Sequence, residues 1–156
     1  MKKVDILGVS FANVSPSEAV DVICGYMDTD SPHIVYTPNP EMVMLAQKDQ
    51  EFKNILDEAD MNIPDGIGIV YGAAIKRTPL QGRVAGYDTV QAVFNRMKDS
   101  GKSVYFFGGA PGVADKAKEN MEKKFPGLKV AGCANGYFDE AREKEIIEDI
   151  KSKSPD

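Results

Sequence analysis

The sequence is poor in the residue types that build metal and redox sites. It contains one histidine, His33, and two cysteines, Cys24 and Cys133, which are far apart and form no CxxC pair. Zinc sites need clustered cysteine and histidine ligands, so this composition argues strongly against one. We expect both thiols to be reduced and structural.

The chain also lacks long apolar runs and an excess of positive charge. No stretch approaches the roughly 20 apolar residues of a membrane span, and no signal-peptide core follows Lys2 and Lys3. The net charge of −5 disfavours nucleic acid as a main partner. These absences predict a cytoplasmic protein, and a length of 156 residues predicts one domain over residues 1–156.

Strand and helix patterns alternate along the chain. A strand or hairpin arm is predicted over 4–11, and Ser15-Pro16-Ser17-Glu18 is a capping box that begins a helix. Further strands are predicted at 34–37, 60–63, 103–107 and 128–133, and further helices at 40–57, 67–75, 88–99, 111–124 and 140–153. This alternation predicts an α/β fold, Rossmann-like, with a largely parallel sheet and helices on both faces.

The run Thr37-Pro38-Asn39-Pro40 lies where a strand gives way to a helix. Pro40 suits the first helical position and Asn39 the N-cap. Thr37 and Asn39 are therefore expected at the carboxyl end of a strand, where open α/β sheets bind ligands and where a helix start favours anions. An ordinary capped junction explains the same pattern.

Two charged residues follow the next strand. Asp65, in Pro64-Asp65-Gly66, is a candidate general base that takes the proton of an attacking hydroxyl; the alternative is an N-cap for the helix that starts near Gly66. Arg83 carries a planar fork that suits a diphosphate, and its alternative is a solvated surface arginine. Asp88 is predicted to cap the helix after it.

Two glycine-containing loops complete the set of candidates. Gly108-Gly109-Ala110-Pro111-Gly112 is a possible cradle for a nucleotide diphosphate at a helix start, or a tight βα turn. It matches neither GxGxxG nor a P-loop. In Asn135-Gly136-Tyr137-Phe138 we expect Tyr137 to stack on a base and Phe138 to pack. Asp28-Thr29-Asp30 has no strand before it and is predicted to be a solvated turn rather than a metal site.

Five of these stretches, TPNPEM, PDGIGIV, RVAGYD, FFGGAPGVADKA and NGYF, follow one another between residues 34 and 138. In this order the chain resembles the WecG/TagA/CpsF family of bacterial glycosyltransferases. The resemblance implies an inverting, metal-independent enzyme without a cofactor, which moves N-acetylmannosamine from UDP to the GlcNAc of an undecaprenyl-diphosphate-linked lipid in wall teichoic acid synthesis. It implies that Asp65 is the base, that Thr37, Asn39 and Arg83 assist it, and that Gly108, Gly109, Ala110, Gly136 and Tyr137 hold UDP.

The resemblance also sets expectations for the end of the chain and leaves alternatives. Family members continue with a further strand, a polar loop and a basic C-terminal segment, so we expect the C-terminal part of the family to be missing. We expect peripheral docking to the inner face of the membrane through sequence beyond Asp156, and an uncovered apolar groove that supports a homo-oligomer. The alternatives are transfer of another UDP-sugar, such as glucose or a uronic acid, an NAD-dependent oxidoreductase, and a nucleotide-binding module without catalysis.

Overall fold

The computed structural model describes all 156 residues, Met1–Asp156, and they form two compact units. Unit 1 is Met1–Val93 and unit 2 is Phe94–Asp156. The α/β class is confirmed: two of the three strand pairs are parallel, and helices flank them. The single-domain organisation stays a prediction.

Unit 1 begins with an antiparallel hairpin, where the sequence predicts a single strand or hairpin arm over 4–11. Strands β1 (Lys3–Ile6) and β2 (Val9–Ala12) pair through a two-residue turn. Leu7 and Gly8 both have positive φ, at 53° and 79°, as the tightest hairpin turns require. Helix α1 (Pro16–Tyr26) follows behind the predicted capping box at Ser15.

The middle of unit 1 supplies a parallel strand pair and three helices. Strand β3 (Val35–Tyr36) leads into helix α2 (Pro40–Ala46), helix α3 (Gln50–Asp57), strand β4 (Met61–Asn62) and helix α4 (Ile67–Ile75). The pair β3–β4 is parallel, with Val35 opposite Met61. The carboxyl ends of both strands therefore meet at one edge.

The continuous helix predicted over 40–57 is wrong. Helix α2 ends at Ala46, and Asp49 starts α3 because its carboxylate accepts the Phe52 N–H at 2.9 Å. An aspartate that caps a new helix competes with continuation of the old one. Both helices still bury apolar residues in one core, with Val43 and Leu56 almost fully buried.

Helix α5 (Gly86–Met97) contains the boundary between the units and starts two residues earlier than predicted. Asp88 therefore lies in its first turn and is not its cap. Unit 2 then holds β5 (Ser103–Phe107), α6 (Val113–Lys124), β6 (Lys129–Ala134) and α7 (Glu140–Lys153). Strands β5 and β6 are parallel, and Phe94 packs edge-on against Phe106 and Phe125. No helix has both the length and the apolar character needed to cross a membrane.

Candidate active site

The carboxyl end of β3 carries Thr37 and Asn39 as predicted. Asn39 is the N-cap of α2, where its Oδ1 accepts the Met42 N–H at 2.9 Å. Pro38 between them is fully buried, which fixes the chain direction. The Asn39 amide nitrogen stays available as a donor because the cap uses the oxygen.

The carboxyl end of β4 carries Asp65, and this residue does not cap α4. Gly66 occupies the N-cap position without any side-chain hydrogen bond, and its φ of 129° favours glycine. A Cβ on Gly68 would lie 2.8 Å from Pro40 Cγ. The start of α4 therefore packs directly on the start of α2, and the alternative interpretation of Asp65 as the α4 cap is wrong.

Asp65 instead binds a segment that lies about 20 residues further along the chain. Its Oδ2 accepts the backbone N–H of Gly86 at 3.1 Å, and its Oδ1 accepts from Arg83 Nη2 at 3.2 Å. A backbone bond from Val84 N–H to Pro64 O, at 3.0 Å, holds the same two segments together. These contacts place the Arg83 guanidinium and the start of α5 against the β4 end.

Thr37 completes this group, and Gly86 explains how closely it packs. A Cβ on Gly86 would lie 2.8 Å from Thr37 Cγ2 and 3.3 Å from Asp65 Oδ2. We call Thr37, Asp65, Arg83 and Gly86 the Asp65 junction. The sequence prediction did not include Gly86 among the site residues; the signal was the glycine of RVAGYD, which fell just before the helix predicted from Asp88.

The Asp65 junction is accessible to a ligand. The Asp65 side chain is 29% exposed and that of Arg83 is 52% exposed. A carboxylate offers about four acceptor positions and an arginine five donors. The bonds described above use two of the Asp65 acceptor positions and one of the Arg83 donors. The junction can therefore accept a hydroxyl proton and bind an anion without losing its own bonds.

In unit 2, the glycine loop (Gly108–Gly112) joins β5 to α6. Its glycines Gly108, Gly109 and Gly112 have φ values of 126°, 72° and 82°, which side chains rarely adopt. The Gly108 N–H already donates to Ala134 O at 3.0 Å. Gly109, Ala110 and Gly112 are exposed residues whose backbone amides donate to no other group of the protein, so these amides are available donors.

The NGYF loop (Asn135–Phe138) packs against the glycine loop backbone to backbone. The Gly136 N–H donates to Gly109 O at 2.9 Å, and a Cβ on Gly136 would lie 3.2 Å from Gly108 Cα. The Tyr137 ring is 74% exposed, and the Phe138 ring packs 5.5 Å from that of Phe107. Tyr137 is therefore the most exposed of these three rings, and its stacking on a base stays a prediction.

Other predicted features of unit 1 lie outside the Asp65 junction. Asp28 and Asp30 are exposed in a turn region, and no three carboxylate, histidine or cysteine side chains cluster as a metal site. His33 stacks on Tyr26 at 4.1 Å and lies 3.3 Å from Asp60. The pKa of Asp60 is lowered, first by the Ile34 N–H at 2.8 Å and then by His33.

In unit 2, a hydrogen-bonded cluster of three polar side chains joins β5 to α7. Tyr105 donates to Asp149 Oδ2 at 2.8 Å, and Lys153 donates to the same oxygen at 2.9 Å. Burial, followed by this carboxylate, raises the pKa of Tyr105 to about 12. The tyrosine therefore remains protonated and ties α7 to β5.

Comparison with known proteins gives the same family as the five sequence stretches named above. Residues 4–156 match the model of the Glycosyl transferase WecG/TagA/CpsF family. Three similar proteins, from Bacillus spizizenii, Bacillus subtilis and Staphylococcus aureus, share one name: N-acetylglucosaminyldiphosphoundecaprenol N-acetyl-beta-D-mannosaminyltransferase.

The first is 33% identical over 131 residues, covering 84% of this chain and 50% of the relative. The second is 26% identical over 138 residues, covering 88% and 54%. The third is 26% identical over 156 residues, covering 99% and 61%. The chain therefore spans between half and about three fifths of the length of these relatives. Because the family model matches nearly the whole chain, the protein belongs to the WecG/TagA/CpsF family of glycosyl transferases.

Proposed function

We propose that this protein transfers N-acetylmannosamine from UDP-N-acetylmannosamine to the GlcNAc of an undecaprenyl-diphosphate-linked acceptor, with inversion, in wall teichoic acid linkage synthesis. The names of the similar proteins support this acceptor and this sugar. The observation that carries the proposal is the geometry of Asp65. Its carboxylate follows a strand end, is held by the Gly86 N–H and Arg83, and remains 29% exposed.

The proposed reaction is a single displacement. The acceptor hydroxyl oxygen attacks the anomeric carbon, the bond from that carbon to the UDP oxygen breaks, and the hydroxyl proton passes to Asp65. UDP leaves with the electron pair of the broken bond. General-base assistance of this kind contributes about 10²–10⁴ to a rate.

Three further residues of unit 1 assist Asp65. Arg83 has spare donors for a diphosphate oxygen, where charge-assisted bonds are strongest. Asn39 can donate from its amide nitrogen, since its oxygen caps α2. Thr37 packs on Gly86, and this contact keeps the Thr37 side chain near Asp65. Their proposed task is to position the sugar and the acceptor.

In this proposal, residues of unit 2 bind UDP. The amides of Gly109 and Ala110 face solvent ahead of α6 and can donate to phosphate oxygens. Gly108 and Gly136 permit the close backbone contact between the two loops, and Tyr137 can stack on the uracil. Backbone amides and arginine can stabilise the charge of a leaving group in place of a metal ion, so we propose a metal-independent enzyme without a cofactor.

The test combines transfer and binding. Incubation with radiolabelled UDP-sugars and a GlcNAc-diphosphate-lipid acceptor should give transfer of N-acetylmannosamine in preference to glucose or a uronic acid, and EDTA should leave the rate unchanged. Titration should detect binding of UDP and none of NAD. Binding of NAD in place of UDP would favour the oxidoreductase, and loss of activity in EDTA with rescue by Mn²⁺ would overturn metal independence.

The proposed location is the cytoplasmic face of the membrane, since the acceptor is lipid-linked. A homo-oligomer is part of the proposal as well. Analytical ultracentrifugation across a range of concentrations measures the oligomeric state, and a monomer at every concentration would contradict the proposed homo-oligomer.

A further inference from the structure

Helix α4 has apolar residues on every side, but only one side of the helix is buried. All nine of its residues, IGIVYGAAI, are uncharged. Ile69 and Ala73 are buried, and Gly72 packs near Ile6. The opposite side is exposed: Ile67 is 54% exposed, Tyr71 63% and Ile75 83%. An apolar helix usually lies inside a core, so a stripe left outside marks a contact surface.

Four basic residues lie together near the C-terminal end of α4. Lys2, Lys3, Lys76 and Arg77 line one shallow pocket with the chain segments around them, and all four are exposed. Asp5 is the acidic residue in that pocket, where it pairs with Lys76 at 3.0 Å. We call the four cations the basic cluster and Ile67, Tyr71 and Ile75 the α4 stripe. The local balance is positive although the chain carries a net charge of −5.

We infer that the α4 stripe and the basic cluster together dock on an anionic phospholipid bilayer. A helix that lies on a membrane buries its apolar face at the boundary between headgroups and acyl chains, while neighbouring lysine and arginine residues contact anionic headgroups. A second copy of this chain would need an acidic surface opposite the basic cluster, because identical basic clusters repel each other. The positive charge therefore favours lipid as the occupant.

This inference rests on the proposed function for its lipid-linked acceptor and goes beyond it by naming the surface. Ile67 follows Asp65 by two residues, so their Cα atoms lie within about 8 Å of each other. A bilayer-bound α4 would hold the Asp65 junction at headgroup level, which is where the diphosphate of a lipid-linked acceptor lies. The sequence expectation placed docking in a segment beyond Asp156; the surface described here is built from residues of this chain.

Vesicle co-sedimentation without any sugar substrate tests the inference. The chain should bind vesicles of phosphatidylglycerol mixed with phosphatidylcholine, bind phosphatidylcholine alone far more weakly, and lose binding as salt rises. K2Q/R77Q should lower the partition coefficient about thirtyfold, since each cation near the surface contributes about fivefold. The charge-matched control K116Q/K123Q on α6 should leave it unchanged.

A second pair of variants tests the α4 stripe. Y71Q/I75Q should lower vesicle binding by about tenfold or more, while I55Q/I147Q, which removes exposed apolar residues on α3 and α7, should not. Equal losses in test and control variants would overturn the inference, as would no binding of the parent to anionic vesicles. If Y71Q/I75Q instead abolished a dimer and left vesicle binding intact, a second copy would be the occupant. Failure of UDP binding with intact vesicle binding would remove the proposed function alone.

Discussion

The two units carry their candidate site groups on different parts of the chain. In unit 1, the Asp65 junction offers side chains: a carboxylate, a guanidinium and a threonine, held at two strand ends. In unit 2, the glycine and NGYF loops offer backbone amides and the ring of Tyr137, which is 74% exposed. The difference agrees with the division of tasks proposed above, because proton transfer needs a positioned titratable group and a nucleotide diphosphate is well served by amides and stacking.

Glycine is required for different reasons at the Asp65 junction and in the glycine loop. Gly86 is buried in the Asp65 junction and is required by close side-chain approach. Gly108, Gly109 and Gly112 are required by positive φ instead. At the Asp65 junction a glycine allows side chains to approach each other, whereas in the glycine loop the glycines adopt backbone angles that side chains disfavour.

The largest effect should come from removing the Asp65 carboxylate. D65N keeps the size of the side chain and an oxygen for the Gly86 N–H, but it cannot act as a base at neutral pH. Sugar transfer should fall by about 10²–10⁴. The melting temperature should change little, because an exposed ion pair such as Asp65–Arg83 contributes roughly 0–1 kcal/mol.

The matched control is D88N, which makes the same change at an exposed aspartate in the first turn of α5. It should transfer sugar at the parent rate. Parent activity in D65N, or equal losses in both variants, would remove Asp65 as the base.

The close approach at Gly86 should appear in stability. G86A forces a methyl group towards Thr37 and the Asp65 carboxylate, and overpacking of this kind costs about 1–3 kcal/mol. G25A, in α1 with nothing within 4 Å of the new methyl, should instead stabilise by up to about 1 kcal/mol. Urea unfolding of both variants measures the difference, and equal stabilisation by both would show that the junction is loosely packed.

A smaller effect should follow acidification at the other end of the parallel strands. Because the pKa of Asp60 is lowered in the folded protein, its contribution to stability is present above the ordinary value of 3.8 and is lost as the pH falls through the lowered value. D60N should remove that part of the acid dependence. Unfolding curves between neutral and acidic pH would measure it, and identical curves for parent and D60N would contradict the assignment.

Much of the fold could be predicted from the sequence because local signals agree with the structure. The bounds of α4, β5 and α7 match the prediction, and Ser15 and Asn39 cap their helices as expected. The break at Asp49 was missed because apolar residues continue with helical spacing across it. Only the capping bond to Phe52 reveals the new helix start.

Contacts between distant segments could not be predicted in this way. The bond from Gly86 N–H to Asp65 joins residues 21 positions apart, and the basic cluster brings Lys2 and Lys3 to Lys76 and Arg77. The two basic pairs lie far apart in the sequence, and only folding makes them neighbours. The site residues themselves remain predictions until variants are measured.

One measurement tests the division of tasks most directly: calorimetric titration of UDP into the parent, D65N and Y137A. D65N should bind UDP as the parent does, although it should transfer little sugar. Y137A should bind UDP more weakly by about 5- to 150-fold, since stacking of a base on an aromatic ring contributes about 1–3 kcal/mol. Unchanged UDP affinity in Y137A together with a large loss in D65N would contradict the account.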